Sequence, residues 1–385
     1  MFYKKSFTSL LIMTIIIVLL FSTYIKAEKQ PDNISATSAC LLDKQSGQTL
    51  YSLHPHLKRP PASLTKILTA VVALEKGNLS DKVTVSRKAA YQEGSSIYLE
   101  EDEVITLEEL LYGILLTSGN DAAVATAEHV GGSVENFSEL MNKKAKEIGA
   151  ENSNFVNPSG LPHHAHYSTA YDMALIMKYA MTLDKFAEIT STKYKTISWG
   201  NRDWGRGLRN HNKLLWSYEN TTGGKTGYTK AAGRCLASSA CRNDREVVAV
   251  VLDSPDDWLD STRLLDYGLE SFRNIKYIQK GERVHTIKLN DAEKEIQLTA
   301  KSPVYITVPR NNKFEIKKKI SYNSEIRLPV KKDDRLGRIR IYNDDEMIAE
   351  TPLLAADDVN YDSIFMRFWD KLTTIIKKNG SQTGI

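Results

Sequence analysis

Apolar residues recur with two different spacings between residue 28 and Phe272. A helical spacing begins at Ser63, and apolar runs at 110–116 and 121–127 predict two further buried helices. Strands are predicted near both ends of this region, at 36–43, 49–53, 234–240 and 245–252. Helices flanked by strands in this way indicate an α+β domain.

After Phe272 the pattern changes to short runs of alternating apolar and polar residues. Segments 304–308 and 338–342 are examples, and similar runs continue across 284–354. Such runs predict a small all-β domain. We therefore expect a first domain at 28–272, an all-β domain at 273–356 and a separate C-terminal segment at 360–379.

The N-terminus has the pattern of an export signal. Lys4 and Lys5 precede an apolar stretch at 10–21, and Ala27 follows at a suitable cleavage position. The apolar stretch is too short to span a bilayer comfortably. The sequence therefore predicts a secretory signal peptide at 1–27.

The C-terminal segment has the pattern of an amphipathic helix. Apolar residues recur at steps of one, three and four across 364–378, and the other face is cationic on balance. Such a helix suits the membrane interface, and its charges are too frequent for a membrane span. Two interpretations stay open: the helix anchors the protein peripherally, or it packs on the β domain or a partner.

Composition narrows the classes of partner and cofactor. Lys and Arg number 51 against 47 Asp and Glu, so no nucleic-acid partner is predicted. No glycine-rich phosphate loop occurs, and His163, His164 and His166 lack partners at ligand spacing, so neither a metal nor a cofactor is predicted. Cys235 and Cys241 would lie about 20 Å apart on one strand, too far for a disulfide, and we expect free thiols.

Three short motifs stand in one order along the chain: S-x-x-K at Ser63, S-x-N at Ser118 and K-T-G at Lys225. Each motif alone is weak, because a helix cap, a helix connection or a hairpin turn would explain it equally well. Together and in this order they are typical of the serine acyl-transfer sites of penicillin-binding proteins and class A β-lactamases.

The residue types in these motifs suit acyl transfer. Ser63 and Lys66 are three residues apart, so on a helix they project from the same side. A lysine can activate a serine only if its pKa is lowered, by burial or by a second cation such as Lys225. The first turn of the helix also offers free backbone N–H groups to a developing oxyanion.

The segments around the motifs are more specific. They read PASLTK at 61–66, EGSSIYL at 93–99, SGNDAAVA at 118–125, NPSGL at 157–161 and GKTGYT at 224–229. On these residues the chain, from about Ser35 to its C-terminus, resembles the low-molecular-mass penicillin-binding proteins that act as serine-type D-alanyl-D-alanine carboxypeptidases. Segments 129–132, 167–173 and 257–258 resemble the sporulation-associated members of bacilli.

This resemblance implies a fold and a set of catalytic residues. The fold would be a five-stranded antiparallel sheet with helices on it, followed by a β-rich pedestal. Ser63 would be the acylated nucleophile and Lys66 its base. Ser118 would relay a proton toward the leaving D-alanine, and Asn120 would hold Lys66 and the substrate amide.

The resemblance also implies binding residues, ligands and a location. Lys225 and Thr226 of the K-T-G motif, which Gly227 completes, would bind the terminal carboxylate, and the backbone N–H groups of Ser63 and Tyr228 would form the oxyanion hole. The ligands would be peptidoglycan stem peptides ending in D-Ala-D-Ala, with β-lactams as covalent inhibitors. The protein would act outside the cytoplasmic membrane, in the cell wall or in the spore cortex of the forespore envelope.

Two other functions stay open at this point. A class A β-lactamase would need a glutamate that activates water, and no Glu-x-x-Leu-Asn motif occurs. A non-catalytic peptidoglycan-binding protein would have no need of Ser63 and Lys66. The chain also departs from the family at one place: many members have an arginine that helps to bind the carboxylate where this chain has 254–258. Two interpretations of Arg234 stay open: it substitutes for that arginine, or it is a solvated strand residue.

Overall fold

The computed structural model describes residues 30–31, 33–200, 202–310, 315–343, 345–362 and 368–369. The predicted signal peptide at 1–27 lies outside these residues. Of the predicted helix at 360–379, the described residues are 360–362, Phe368 and Trp369. No helix in the described part of the chain is long and apolar enough to cross a membrane.

Strands occur throughout the described chain, and the longer helices lie before Phe272. The helices are α1 (Thr65–Lys76), α2 (Arg87–Ala90), α3 (Leu107–Leu116), α4 (Asn120–Gly131), α5 (Val134–Ile148), α6 (Ala170–Ala180), α7 (Asp184–Ser191), α8 (Leu214–Ser217) and α9 (Asp257–Ser271), with a 3-10 turn at Ala62–Leu64. The strands before α9 are β1 (Ser38–Asp43), β2 (Thr49–Leu53), β3 (Lys82–Thr84), β4 (Val104–Thr106), β5 (Tyr194–Ile197), β6 (Arg206–Arg209), β7 (Thr221–Thr229), β8 (Gly233–Arg242) and β9 (Arg245–Leu252). The later strands are β10 (Phe272–Ile278), β11 (Arg283–Ile287), β12 (Ile296–Ala300), β13 (Val304–Pro309), β14 (Ile316–Tyr322), β15 (Arg335–Asn343) and β16 (Glu346–Ala355).

The first part of the chain is built on a five-stranded antiparallel sheet in the order β2-β1-β9-β8-β7. Alternate residues of its central strands point to opposite faces, as the pleat requires. Leu41, Ala249 and Val251 join the apolar cluster under α9, and Leu42 and Val250 join the larger cluster formed by the other helices. Both faces are therefore buried, and β7 lies at one edge.

The helical layer holds α1 at its centre. All residues from Thr65 to Ala73 are buried, since α3, α4, α5, α6 and α7 surround the helix. The α3 helix begins with a capping box in which Thr106 and Glu109 satisfy each other's backbone N–H groups. The capping box thus defines the start of α3, whose other end leads into the short connection to α4 at 117–119.

The second part of the chain is a β structure with its own core. Its five-stranded sheet has the order β11-β12-β16-β15-β14, and β10 pairs with β13 beside it. Ile296, Leu298, Ile306, Ile339 and Leu353 are fully buried in a separate apolar cluster. The whole arrangement is of the predicted α+β class.

A polar cluster joins the two parts of the chain. Asp43, which is fully buried, pairs with Arg245 at 3.1 Å and accepts a hydrogen bond from Asn274 Nδ2 at 3.2 Å. Arg245 also donates to the Phe272 carbonyl at 3.1 Å, and Thr307 Oγ1 donates to Asn274 Oδ1 at 2.9 Å. The cluster thus ties β1 and β9 to β10 and β13.

We expect Arg245→Met to destabilise the protein by about 3–5 kcal/mol, because it leaves the buried Asp43 carboxylate without its cation. Arg242→Met is the matched control, since Arg242 pairs with Glu270 on the surface at 3.2 Å and such pairs contribute about 1 kcal/mol or less. Urea unfolding of both variants measures the difference. Equal losses would contradict a structural role for the buried pair.

Candidate active site

A cleft of about 660 Å³ opens where the edge strand β7 meets the 3-10 turn and the connection between α3 and α4. Hydroxyl and other polar groups predominate among its lining residues, which are Ser63, Ser95, Ser118, His211, Thr226, Gly227, Tyr228, Arg234, Asp257 and Trp258. The cleft thus contains members of all three sequence motifs.

Ser63 is held on a turn that two glycines approach closely. A Cβ on Gly160 would lie 1.8 Å from the Ala62 carbonyl oxygen, and Gly160 has a φ of +84° that favours glycine. A Cβ on Gly227 would lie 3.1 Å from the Ser63 backbone nitrogen, a tight contact. The two glycines therefore let the 157–161 loop and β7 close on the turn from two sides.

Lys66 lies at the base of the cleft, where it is fully buried. Its Nζ is 3.2 Å from Ser63 Oγ, 2.6 Å from Asn120 Oδ1 and 2.6 Å from the Ser159 carbonyl oxygen. The amine therefore has three polar partners on three different elements, one of them the predicted nucleophile.

The environment of Lys66 favours a neutral amine. Burial lowers its pKa well below the ordinary value for lysine, and the Lys225 charge lowers it further, against a smaller opposing effect of Asp121. Burial also lowers the pKa of Lys225, to about 7. A neutral amine 3.2 Å from a serine hydroxyl can accept its proton.

Lys225 and Ser118 form the second pair of the cleft. Lys225 Nζ donates to Ser118 Oγ at 3.1 Å and to the Thr226 carbonyl at 2.7 Å. Ser118 has a φ of +65°, which is uncommon for a residue other than glycine. Ser118 lies in the connection between α3 and α4. The backbone therefore turns at Ser118, the residue whose hydroxyl accepts from Lys225.

Asn120 links Lys66 to the 93–99 loop. Its Oδ1 accepts from Lys66, and its Nδ2 donates to the Glu93 carbonyl at 2.7 Å. The neighbouring Asp121 is fully buried and accepts from the backbone N–H groups of Ile97 and Leu99 at about 3.1 Å. The first turn of α4 thereby holds the loop that carries Ser95 to the cleft.

The K-T-G segment lies within a strand, and not in the hairpin turn that was one interpretation of its glycines. Lys225, Thr226, Gly227 and Tyr228 belong to β7, which pairs with β8. Thr226, Gly227 and Tyr228 line the cleft, and the Tyr228 side chain is largely exposed. The eight predicted site residues therefore meet in one place.

Several contacts of the site were not predicted from the sequence. The Ser159 carbonyl is a partner of Lys66, and Asn157 Oδ1 shapes its loop by accepting from the Gly160 N–H at 2.7 Å. The Asn-Pro-Ser-Gly run at 157–160 is a recognisable turn signal, although nothing in it points to Lys66. His211, Asp257 and Trp258 join the cleft wall from distant segments.

Arg234 is a cleft residue with a partner. It lines the cleft and forms an ion pair with Asp257 at 3.1 Å, although its side chain stays about half exposed, at 52%. Asp257 is largely buried, and burial raises the pKa of its carboxyl group. Arg234 on β8 therefore places a guanidinium group beside Asp257 of α9, in the 254–258 region where the resemblance implies an arginine.

The histidine run has a structural role in the described residues. His166 accepts from the Val156 N–H at 3.2 Å and lies 2.8 Å from Thr65 Oγ1, which connects the 156–166 segment to the start of α1. Burial lowers its pKa to about 4, so the ring is neutral at pH 7. Within the part of the chain that the structure describes, no group of three His, Cys, Asp or Glu side chains could hold a metal ion.

Comparison with known protein families gives two matches in succession. Residues 25–256 match the peptidase S11 family, described as D-alanyl-D-alanine carboxypeptidase. Residues 272–361 match the family described as the C-terminal domain of penicillin-binding protein 5. Together the matches confirm the predicted order of an acyl-transfer fold and an all-β fold.

Individual relatives agree with these matches. The D-alanyl-D-alanine carboxypeptidase DacF of Bacillus subtilis is 35% identical over 92% of this chain and 95% of its own. Penicillin-binding protein 5 of Haemophilus influenzae superposes with a TM-score of 0.75 at 31% identity, over 86% of this chain and 99% of that one. A mutant of the Streptomyces K15 DD-transpeptidase gives 0.59 at 32% identity, over 62% and 98%.

We expect Lys225→Met to move the acid limb of the acylation rate to higher pH. Lys66 must be neutral to accept a proton, so the rate falls as pH drops through the Lys66 pKa, and the Lys225 charge lowers that pKa. Acylation by a penicillin at limiting concentration, followed across pH, measures the limb. Lys230→Met, which removes an exposed lysine beyond β7, should leave the limb in place, and an unmoved limb in Lys225→Met would contradict the coupling.

Proposed function

The chain belongs to the S11 peptidase family of serine D-alanyl-D-alanine carboxypeptidases, and we propose that it removes the terminal D-alanine from peptidoglycan stem peptides through an acyl-enzyme on Ser63. The observation that carries this proposal is the buried Lys66 amine, 3.2 Å from Ser63 Oγ and depressed in pKa. The family is acylated by β-lactams, which enter the same site as substrate analogues.

Acylation begins with the Ser63 hydroxyl. Neutral Lys66 takes its proton while Oγ attacks the carbonyl carbon of the penultimate D-alanine. The carbonyl oxygen becomes an oxyanion, which the backbone N–H groups of Ser63 and Tyr228 stabilise. The terminal carboxylate of the substrate lies toward Lys225 and Thr226, at the end of the cleft that Arg234 also lines.

Collapse of this intermediate expels the D-alanine nitrogen, which must gain a proton. Ser118 is suited to deliver it, because its hydroxyl lies 3.1 Å from Lys225 Nζ and faces the cleft. The proton that Lys66 took from Ser63 replaces the one that Ser118 gives up. Water then attacks the Ser63 ester, the same amine accepts a proton from the water, and Ser63 Oγ is released as a hydroxyl.

We also propose an export route, a location and a stage of the life cycle. The signal-peptide pattern at 1–27 supports export, and the cationic amphipathic pattern at 364–378 supports peripheral attachment to the outer face of the cytoplasmic membrane. Segments 129–132, 167–173 and 257–258 support a role in sporulation. Labelling by fluorescent penicillin in growing cells alone, and never in sporulating cells, would contradict the last proposal.

A fluorescent penicillin should label the protein at Ser63, and the protein should release D-alanine from a peptide ending in D-Ala-D-Ala. Ser63→Ala should abolish both, because it removes only the nucleophilic oxygen. Ser321→Ala is a matched control, since Ser321 belongs to the unrelated Ser-Tyr-Asn sequence on β14, and it should be labelled normally. Labelling that persists in Ser63→Ala and maps to another residue would refute the assignment.

Truncation after Asp362 should release the mature protein from membranes without affecting penicillin labelling. The removed segment contains the predicted amphipathic helix, whose cationic face anionic lipids attract. Co-sedimentation with vesicles measures the effect, and binding by the untruncated protein should rise with the fraction of anionic lipid. If both proteins partition alike, the helix packs elsewhere and the anchor lies in another segment.

A further inference from the structure

The β domain carries a cationic face that the carboxypeptidase reaction does not use. In the register of β14 and β15, Lys319 lies opposite Arg340 and Ser321 lies opposite Arg338. Lys317 is two residues before Lys319, so its side chain points to the same face. The opposite face of β15 contributes Ile339 and Ile341 to the core, and the cations therefore point away from it.

The charges on this face are only partly compensated. Among the described residues, Glu350 is the acid that pairs with the face, at 2.7 Å from Arg340 and 3.4 Å from Arg338. Lys317 and Lys319 are exposed and have no ion-pair partner among the described residues. Lys319 directly opposite Arg340 is a like-charge cross-strand pair, which destabilises a sheet. A bound anion would relieve that repulsion.

Edge protection does not explain the whole face. Lysines on β14 would discourage pairing of this edge strand with another chain. Arg338 and Arg340, however, lie on β15, which is paired on both sides, with β14 and with β16. Glu350 accounts for the charges of Arg338 and Arg340, but Arg335, at the start of β15, is exposed and has no ion pair among the described residues.

A recess lies at one end of the cationic face. It has a volume of about 350 Å³ and is lined by Ser321, Tyr322, Asn323, Arg335, Gly337 and Arg338. Gly337 lets β14 approach closely there, because a Cβ on it would lie 2.5 Å from the Ser321 carbonyl oxygen. Two guanidinium groups beside a hydroxyl and an amide are donors that suit the oxygens of a phosphate group.

We propose that the recess and the cationic face bind a linear polyol phosphate polymer, with one phosphate in the recess and the following phosphates along β14 and β15. Cations on the same face of one strand are about 6.7 Å apart, and the two strands are about 4.8 Å apart. The cations therefore form a narrow track. A flexible chain with regularly spaced monoanions can follow such a track.

The face is less suited to the other common polyanions. Proteins that bind single-stranded nucleic acid stack bases on aromatic rings, and Tyr322 already stacks on His285 at 5.3 Å. Membrane-interface binding requires a face of large apolar residues beside the cations. Among the described residues of β14, β15 and β16, the large apolar or aromatic side chains that are exposed are Tyr322 and Met347 alone, too few for such a face. The polyol phosphate chain needs only the charges and donors that are present.

The test measures binding of the mature protein to a fluorescent poly(glycerol phosphate) oligomer across salt concentration. Arg335→Gln/Arg338→Gln and Lys317→Gln/Lys319→Gln should each weaken binding about tenfold at low salt, because each removes two charged contacts. Binding of the unsubstituted protein should weaken steeply as salt rises. Lys143→Gln/Lys146→Gln is the matched control, since it removes two exposed lysines on α5, in the first part of the chain, and it should bind normally.

Penicillin labelling and the unfolding temperature of every variant serve as the folding controls. Equal binding by all variants would overturn the proposal. It would also be overturned if oligonucleotides, or vesicles of anionic lipid, bound more tightly than the polyol phosphate and lost that binding in the Arg335→Gln/Arg338→Gln variant. Penicillin labelling reports acylation in the Ser63 cleft and does not involve the β14–β15 face, so loss of the polymer-binding proposal leaves the carboxypeptidase assignment unaffected.

Discussion

Burial of the Lys66 amine is the constraint around which the catalytic half of the structure is arranged. An ammonium group without water is costly, and the cost falls when the group is neutral and its hydrogen bonds are made. Ser63, Asn120 and the Ser159 carbonyl surround Nζ within 3.2 Å. The same burial that makes a charged amine costly lowers the pKa of Lys66 and favours the neutral form that the proposed reaction requires, so the energetic cost and the proposed chemical use have one cause.

The site forms only where the Ser63 turn, the α3–α4 connection and β7 come together. Each of these contacts depends on a local feature of the backbone. Gly160 allows its loop to touch the Ala62 carbonyl, and Gly227 allows β7 to touch the Ser63 turn. The positive φ of Ser118 turns the α3–α4 connection at the point where its hydroxyl meets Lys225. These close approaches place the three motifs within hydrogen-bond distance of one another, as a reaction between positioned groups requires.

Polar contacts join the β domain to the catalytic half of the chain. Asp43 and Arg245 are buried where β1 and β9 meet β10, and Thr307 and Asn274 complete the cluster. Buried polar groups fix a relative orientation because each bond has a required direction. This cluster therefore defines the contact between the two parts of the chain at β10 and β13.

Periodicity and motif order along the chain predict the local structure and the residue types available for catalysis. Periodicity indicates which face of each element is buried. It therefore predicts the helix after Ser63, the strands at 36–43 and 245–252, and the change of pattern after Phe272. The order of the three motifs is likewise visible in the sequence. The resemblance to serine D-alanyl-D-alanine carboxypeptidases rested on those motifs, and the family matches confirm it.

Contacts between groups that are far apart along the chain are set by the fold. Lys225 and Ser118 are 107 residues apart in the chain, and Lys66 and the Ser159 carbonyl are 93 apart. Spacing along a helix or strand carries no information on such contacts, and a backbone carbonyl has no sequence signature at all. The roles of Ser159, His211 and Asp257 in the cleft, and the lowered pKa of Lys66, follow from how the helical layer packs on the sheet, because burial and neighbouring charge exist only once the chain is folded.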